Sequence, residues 1–415
     1  MTNTDSPNFI SKFAPFILFF AVLTILLLAL HPAWMYHLRV DIDGQYTAIA
    51  SQFLNTGNLS SIGYNEYLPG AVMFFVSLSP YLSMGKNNAG FLAGLFVANV
   101  LLIIASSWVY HKSQRGWGVF VFALILLFTG PIILYRHELL VGLMASLAVL
   151  FWIRKKTWGA FFLLGIATST KIYPIILVPY FVLVILKNRG WKALGQHMLF
   201  FVLGLFSVLA IYMGVLKVPL VSIVDSLSIH SQKPVHVESV WGSILTVYSR
   251  IENGDYALGK GDKGIFGIDP QFVPLPLYVF NYFWVFVLGI YYAVLALKLK
   301  KGVHFEPYKL LTALILFLIT SKILTPQYML WVFLLLPLVS ISSEKNKQTS
   351  QFLDLALVVL TCFLGQYIYP LNYNELVGIF YANGAFAHTF WMLFLRNALL
   401  VILTIRFARK LSWNQ

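Results

Sequence analysis

Apolar runs of membrane-spanning length recur along the whole chain, and they restrict the fold more than any other feature. A helix needs about 20 mostly apolar residues to cross a bilayer. Hydrophobic residues make up 59% of the 415 residues and charged ones 11%, whereas a soluble domain carries roughly a quarter charged residues. The sequence therefore predicts an all-α polytopic membrane protein, formed as a single integral membrane domain over residues 1–415. The single cysteine, Cys362, excludes a disulfide framework.

The basic residues cluster after spanning runs, as cytoplasmic loops do under the positive-inside rule. The net charge of +14 is therefore a topology signal and does not indicate nucleic-acid binding. The clusters lie at 111–115, 154–156, 187–192, 298–301, 345–347 and 406–410.

Counting runs from these clusters predicts about 11–12 transmembrane helices with the N-terminus inside. Two long loops then face the outside, at about residues 31–88 and 217–274. The short run 68–84 has no partner in this count and is flanked by Pro69 and Pro80. We interpret it as a juxtamembrane or re-entrant helix within the first external loop.

Two apolar runs are interrupted by the same pattern of a polar pair, a lysine and a proline. These are "TSTKIYP" (168–174) and "ITSKILTP" (319–326). Proline removes a backbone donor, and such breaks are tolerated at membrane depth where they line a cavity. Each run is predicted to form two short helices that meet near the outer surface.

An ammonium in hydrocarbon costs at least ~3 kcal/mol, so Lys171 and Lys322 need an explanation. Arg396 is a third cation, in the middle of a predicted span. Asp354 is a carboxylate within a predicted span, but it alone cannot pair with all three cations. An anion such as a lipid phosphate would satisfy them. The alternative for each one alone is a side chain that snorkels to the membrane surface.

Asp41 and Asp43 follow the first helix directly, in "RVDIDGQY". A carboxylate at the mouth of a membrane cavity can act as a general base on a sugar hydroxyl. The alternative is that both aspartates cap the next helix and face water.

Other polar residues of the predicted external regions are candidates for the wall of a pocket. The alternatives for them are a helix start and a solvated turn. In "IHSQKPVHVESVWGS" (229–243), two histidines and a glutamate suggest a metal site, but their spacing fits no standard zinc pattern. The pocket candidates are Tyr46, Glu66, Tyr67, Arg136, Glu138, Glu238, Gln327 and Tyr328.

Taken in order, these motifs resemble the GT-C superfamily of membrane glycosyltransferases over nearly the whole chain. The resemblance rests on "VDIDGQY", "YLPGAVMFF", "YRHELL", "TKIYP" and "SKILTPQYMLW". The last of these, with "HSQKPVHVESVWGS", is most similar to the polyprenol-phosphate-mannose-dependent mannosyltransferases.

The resemblance implies a GT-C-type fold and an inverting transfer of a sugar, expected to be mannose, from a polyprenyl-phosphate carrier. The acceptor would be a lipid-linked or glycan hydroxyl. Asp43 is the first choice for the catalytic base and Asp41 the second. Lys171, Lys322 and Arg396 would bind the donor phosphate, helped by His230 and Lys233. No metal is expected, because metal dependence belongs to the members that use diphosphate donors.

The resemblance also implies a multi-pass protein of the plasma or inner membrane with its active site outside, or facing the endoplasmic reticulum lumen in a eukaryote. A transporter or flippase of an anionic lipid or solute is the main alternative, since broken helices and buried cations suit it too. A glycan polymerase or ligase with diphosphate carriers shares most features, but it would be expected to carry more external arginines.

Overall fold

The computed structural model describes residues 9–61, 66–253, 258–260, 266–269, 273–300, 302, 305–378 and 388–411. Within these ranges the chain is almost entirely helical, with one pair of short strands. The helices are α1 Phe9–Ala29, α2 Pro32–Leu38, α3 Thr47–Thr56, α4 Pro69–Ser77, α5 Ala89–Thr129, α6 Glu138–Ile153, α7 Thr157–Thr170, α8 Val178–Gly214, α9 Val221–Gln232, α10 Val240–Asn253, α11 Leu277–Lys298, α12 Pro307–Thr320, α13 Leu330–Phe333, α14 Lys345–Gln366, α15 Tyr373–Gly378 and α16 His388–Arg409.

Six of these helices are long and apolar enough to cross a membrane, so the prediction of an all-α polytopic membrane protein is confirmed. They are α1, α5, α8, α11, α14 and α16. Three apolar segments are shorter, at Glu138–Ile153, Pro307–Thr320 and Pro326–Leu338.

The two longest helices are each broken inside a predicted cytoplasmic cluster. In α5 the break lies at Gln114 and Arg115, and in α8 it lies at Gly190. Gly190 has a φ of +77°, a conformation that glycine adopts without steric strain. With each broken helix counted as two, the six long helices and the three shorter segments give eleven crossing candidates within the described ranges, which is in line with the predicted 11–12.

The two predicted helix breaks are present. α7 ends at Thr170, and Lys171 is extended with φ −154° and ψ 144° before a 3₁₀ turn over Tyr173–Leu177. α12 ends at Thr320, Ser321 is extended, and a second 3₁₀ turn begins at Pro326. Each lysine therefore lies in non-helical backbone between two short helices, as the pattern predicted.

The segment predicted as juxtamembrane or re-entrant forms the short helix α4 and a 3₁₀ turn over Ser79–Ser83. α4 packs against α3 and α7. A Cβ on Gly70 would lie only 2.2 Å from the Thr170 hydroxyl oxygen. The lack of a side chain at Gly70 thus lets α4 lie directly against the end of α7.

The second predicted external loop contains α9, α10 and the antiparallel strands β1 (Leu258–Lys260) and β2 (Phe266–Ile268). A bridge between His236 and Gly267 joins β2 to the segment between α9 and α10. This loop is therefore a folded cover on the helices, and its strands were not predicted.

The largest apolar core cluster of the described residues extends from Ile25 in α1 to Leu411 after α16, and two smaller clusters lie around Leu245 in α10 and Leu376 in α15. Large apolar side chains remain exposed on the outward faces of α1, α8 and α11, including Phe19, Phe206 and Phe286. An exposed apolar surface of this kind suits contact with lipid chains.

Candidate active site

A cavity of about 640 Å³, the main cavity, lies where the breaks after α7 and α12 meet the two predicted external loops. Its size is within the roughly 300–1,000 Å³ that is typical of ligand sites. Twelve of the fifteen predicted site residues line it: Asp41, Tyr46, Glu66, Tyr67, Arg136, Glu138, Lys171, His230, Lys233, Lys322, Gln327 and Tyr328. The other three, Asp43, Glu238 and Arg396, are outside its wall.

Asp41 is a fixed and partly exposed carboxylate on the wall. Its Oδ2 lies 3.1 Å from Arg136 Nη2, and the aspartate side chain is 35% exposed against 4% for the arginine. Arg136 also donates to the carbonyl oxygens of Leu38 at 2.9 Å and Tyr135 at 3.1 Å. A buried, anchored guanidinium therefore holds Asp41 in place while the carboxylate stays accessible from the cavity.

Asp43 faces elsewhere. It lies in a π-helical turn over Ile42–Tyr46, and residues two positions apart in a helix point to nearly opposite sides of its axis. Its carboxylate is bound by Arg39 through two contacts of 3.0 Å and by Asn88 at 3.1 Å. The first-choice base of the sequence analysis is thus engaged outside the cavity wall, whereas the second choice is on it.

Lys171 forms an ion pair with Glu138 at the break after α7. The second carboxylate oxygen of Glu138 accepts from Trp331 Nε1 at 2.9 Å. The Lys171 ammonium also lies 5.1 Å from the ring centroids of Tyr328 and Trp331, close enough for cation–π attraction. Trp331 is a site residue that the sequence analysis missed, although it stands in the quoted motif "SKILTPQYMLW".

Lys233 forms an ion pair with Glu66 on another part of the wall. The Glu66 carboxylate also accepts from Gln45 Nε2 at 3.4 Å. This pair joins the first predicted external loop to the second, across 167 residues of sequence.

Lys322 has different partners, because its ammonium donates to the backbone carbonyls of Ser231, at 2.8 Å, and Lys233. In return, His236 donates its backbone N–H to the Lys322 carbonyl and its Nδ1–H to the Leu324 carbonyl, each at 2.8 Å. These bonds tie the break after α12 to the end of α9.

The charges on the wall do not balance. Arg136, Lys171 and Lys233 each pair with a carboxylate, whereas Lys322 has none among the described residues. With the histidines neutral, the wall therefore has one surplus positive charge. Burial lowers the pKa of His230 and of His236 to about 4, so both are neutral at physiological pH.

His137 is a further wall residue to which the sequence analysis gave no role. It is buried, and its ring meets Tyr46, Tyr67 and Phe75 edge-on at centroid distances of 5.4–6.3 Å. Within the described ranges its Nδ1 has no hydrogen-bond partner. Its position directly after Arg136 was the only sequence signal.

Arg396 lies in the protein interior. It is fully buried, and its Nη1 is 2.8 Å from the Glu238 carboxylate. The adjacent Asn397 donates to the Glu238 and Ser239 carbonyls, both at 3.2 Å, and to the Ser243 hydroxyl at 2.8 Å. This placement favours an anchoring role, in which α16 holds the start of α10 and the loop before it.

Asp354, the carboxylate considered as a partner for the buried cations, binds other residues. Its oxygens pair with Arg406 at 2.6 Å and with Lys410. Lys171 and Arg396 have glutamate partners instead, and both glutamates come from the predicted external regions.

Within the described part of the chain, no three His, Cys, Asp or Glu side chains come together in a way that could hold a metal. The expected independence of metal is a statement about the reaction and stays a prediction.

Comparison with known proteins gives one family. The model of glycosyltransferase family 87 matches residues 65–243. This match supports a membrane glycosyltransferase. Glu66, Arg136, Glu138, Lys171 and Lys233 fall in the matched part, whereas Asp41 and Lys322 lie on either side of it. No curated protein matches the chain.

Proposed function

We propose that the chain is an inverting glycosyltransferase that moves a sugar, expected to be mannose, from a polyprenyl-phosphate carrier to a hydroxyl of a lipid-linked or glycan acceptor. The reaction would take place in the main cavity, on the extracytoplasmic side. The observation that carries the proposal is the wall itself, where an accessible carboxylate, Asp41, shares one cavity with the uncompensated cation Lys322.

Asp41 is the proposed catalytic base. It would take the proton of the acceptor hydroxyl as that oxygen attacks the anomeric carbon. The bond between this carbon and the phosphate oxygen breaks, and its electron pair leaves with the polyprenyl phosphate. Attack from the side opposite to the leaving group inverts the configuration. A positioned base of this kind contributes roughly 10²–10⁴-fold to the rate.

The surplus charge supports a monophosphate carrier. A sugar joined to a polyprenyl phosphate carries one negative charge, which matches the single uncompensated cation of the wall. Departure of the sugar leaves a second charge on the phosphate, and cations at that point stabilise the transition state. A diphosphate carrier would bring more negative charge than the wall can neutralise.

The apolar part of the wall suits a prenyl chain. Leu227 in α9, Trp284 in α11 and Phe317 in α12 all line the cavity, and Ile172 lines it while remaining 43% exposed. A lipid chain could therefore leave the cavity along apolar side chains while its phosphate stays at the lysines.

The test is sugar transfer by the purified full chain in lipid, supplied separately with polyprenyl-phosphate-linked mannose, glucose and arabinose. Asp41→Asn should lose both the transfer of sugar and the slow hydrolysis of the donor. It should still bind the donor. Asp43→Asn is the matched control, since it removes an equivalent carboxylate outside the wall. EDTA should have no effect on the wild type.

Loss of transfer in Asp43→Asn with full activity in Asp41→Asn would show that Asp43 is the base and that the assignment to Asp41 is wrong. Binding of donor without turnover under every condition would favour transport of an anionic lipid instead.

A further inference from the structure

A second cavity, of about 160 Å³, lies at the opposite end of α6 and α7 from the main cavity. α6 has Glu138 at the main cavity and Trp152 at the second one. At 1.5 Å per residue these 14 steps cover about 21 Å. Likewise, Thr157 at the start of α7 lines the second cavity, and Thr170 at the end of α7 lines the main cavity. The second cavity is therefore separate from the proposed reaction site.

Two exposed cations line the second cavity, Lys155 in the turn before α7 and Arg189 beside the break in α8. Neither pairs with a carboxylate in the ranges that the structure describes, and the sequence has no Asp or Glu between Glu138 and Asp225. Lys155 has a φ of +60°, which is uncommon for a residue with a side chain. Membrane topology explains why these loops are basic, but it does not explain a cavity between them.

A chain of hydrogen bonds positions Arg189. His197 donates from Nδ1 to the Ala193 carbonyl at 2.6 Å, so its Nε2 accepts from the Thr157 hydroxyl at 2.8 Å. The Thr157 oxygen then accepts from Arg189 Nη1 at 3.3 Å. One of the five guanidinium donors is thus used to hold the side chain at the wall, and others remain for a ligand.

The remaining lining residues are two aromatic ones, the aliphatic Val184 and Ile185, and the amide Asn188. Trp152 and Phe305 line it, and both rings pack on Phe181 at centroid distances of 4.6 and 5.7 Å. Asn188 accepts from the Gly302 backbone N–H at 2.8 Å, which holds the segment before α12 beside the break in α8. The result is an aromatic surface next to two cations at the ends of membrane helices.

We propose that the second cavity binds the headgroup of an anionic phospholipid, with its phosphate between Lys155 and Arg189 and its glycerol end against Trp152 and Phe305. Basic pockets between helices at a membrane surface bind such headgroups, and aromatic rings suit the boundary between headgroup and chain. The bound lipid would bridge the turn before α7 and the break in α8.

Native mass spectrometry of the full-length protein tests this proposal, with phosphatidylglycerol and phosphatidylcholine as probes. The variant is Lys155→Gln/Arg189→Gln. The matched control, Lys112→Gln/Lys345→Gln, removes two exposed basic residues that do not line the cavity. Wild type and control should retain one phosphatidylglycerol in preference to phosphatidylcholine. The variant should bind it about 30-fold more weakly, given about 1 kcal/mol for each of the two basic residues near a charged headgroup.

Three results would overturn the proposal: equal weakening in the control, equal retention of phosphatidylcholine by the wild type, or displacement of the lipid by inorganic phosphate at millimolar concentration. The last would identify a site for a soluble anion. Thermal unfolding without added lipid checks that the variant is folded, which is expected because both substituted side chains are exposed.

Discussion

Lys322 donates from its ammonium to the carbonyl oxygen of Ser231 across 2.8 Å, and so joins the helix break after α12 to the end of α9. The same ammonium reaches the carbonyl of Lys233. Both carbonyl groups are neutral dipoles, so they do not neutralise the positive charge of the Lys322 ammonium. Lys322 therefore both holds the loop over the main cavity and gives that cavity its surplus charge.

Replacing Lys322 should weaken donor binding. Hydrogen bonds to a charged group contribute roughly 1.5–3 kcal/mol, so we expect Lys322→Met to raise the dissociation constant of a polyprenyl-phosphate sugar about 10- to 100-fold. Lys322→Arg keeps the charge and should lose much less. Titration of donor into the purified protein measures both. Equal affinity of Lys322→Met and wild type would show that this ammonium acts only on the loop.

The pair of Arg396 and Glu238 should act on stability and not on donor affinity. Arg396 is fully buried, and Glu238 is 1% exposed. Removing one member leaves a buried charge, which costs roughly 3–5 kcal/mol. Arg396→Met should therefore lower the midpoint of unfolding in detergent, and so should Glu238→Met.

The double variant Arg396→Met/Glu238→Met provides the control. It leaves neither charge uncompensated, so it should be less destabilised than the sum of the single variants. A raised KM for donor with an unchanged unfolding midpoint in Arg396→Met would contradict the anchoring role and restore the phosphate role expected from the sequence.

Acidification should destabilise the loop that carries His236. The pKa of this histidine is lowered to about 4, mainly by burial; its bond to the Leu324 carbonyl raises the pKa, and the nearby Arg396 and Lys233 contribute to lowering it. The ordinary value is about 6.5, so below that pH the unfolded chain takes up a proton that the folded chain does not. Stability is therefore complete above pH 6.5 and falls as the pH approaches 4.

His236→Gln should reduce this pH dependence, because its amide can still donate to the Leu324 carbonyl but does not titrate. Unfolding midpoints between pH 7.5 and 4.5 for wild type and variant provide the comparison. His230, whose pKa burial also lowers to about 4, should leave part of the dependence in place. Identical profiles in the two proteins would mean that His236 does not contribute.

The sequence predicted those features that follow from local chemistry. Basic clusters located the breaks in α5 and α8, and the two lysine–proline patterns located the ends of α7 and α12. Such features depend on hydropathy, charge and the missing N–H of proline, all of which can be read within a few residues.

Pairings over long distances were not predictable in this way. Glu238 is 158 residues from Arg396, and Glu66 is 167 residues from Lys233. Similarly, the sequence shows Asp41 and Asp43 two residues apart but does not reveal that Asp41 meets the distant Arg136, while Asp43 pairs with Arg39 four residues before it. The choice between the two carboxylates depended on that long-range contact.

The last prediction concerns the charge of the main cavity. Glu66→Gln removes one carboxylate and frees Lys233, so the wall gains a second uncompensated cation. A charge about 8 Å away contributes about 2 kcal/mol at an effective dielectric constant of 20. We therefore expect polyprenyl diphosphate to inhibit Glu66→Gln at least about 10-fold more strongly than it inhibits the wild type, while polyprenyl monophosphate gains less. Glu344 is an exposed glutamate outside the wall, so Glu344→Gln should leave the inhibition constants of both the diphosphate and the monophosphate unchanged. An unaltered preference in Glu66→Gln would show that the charge of the wall does not select the carrier, and the argument from charge for a monophosphate donor would fail.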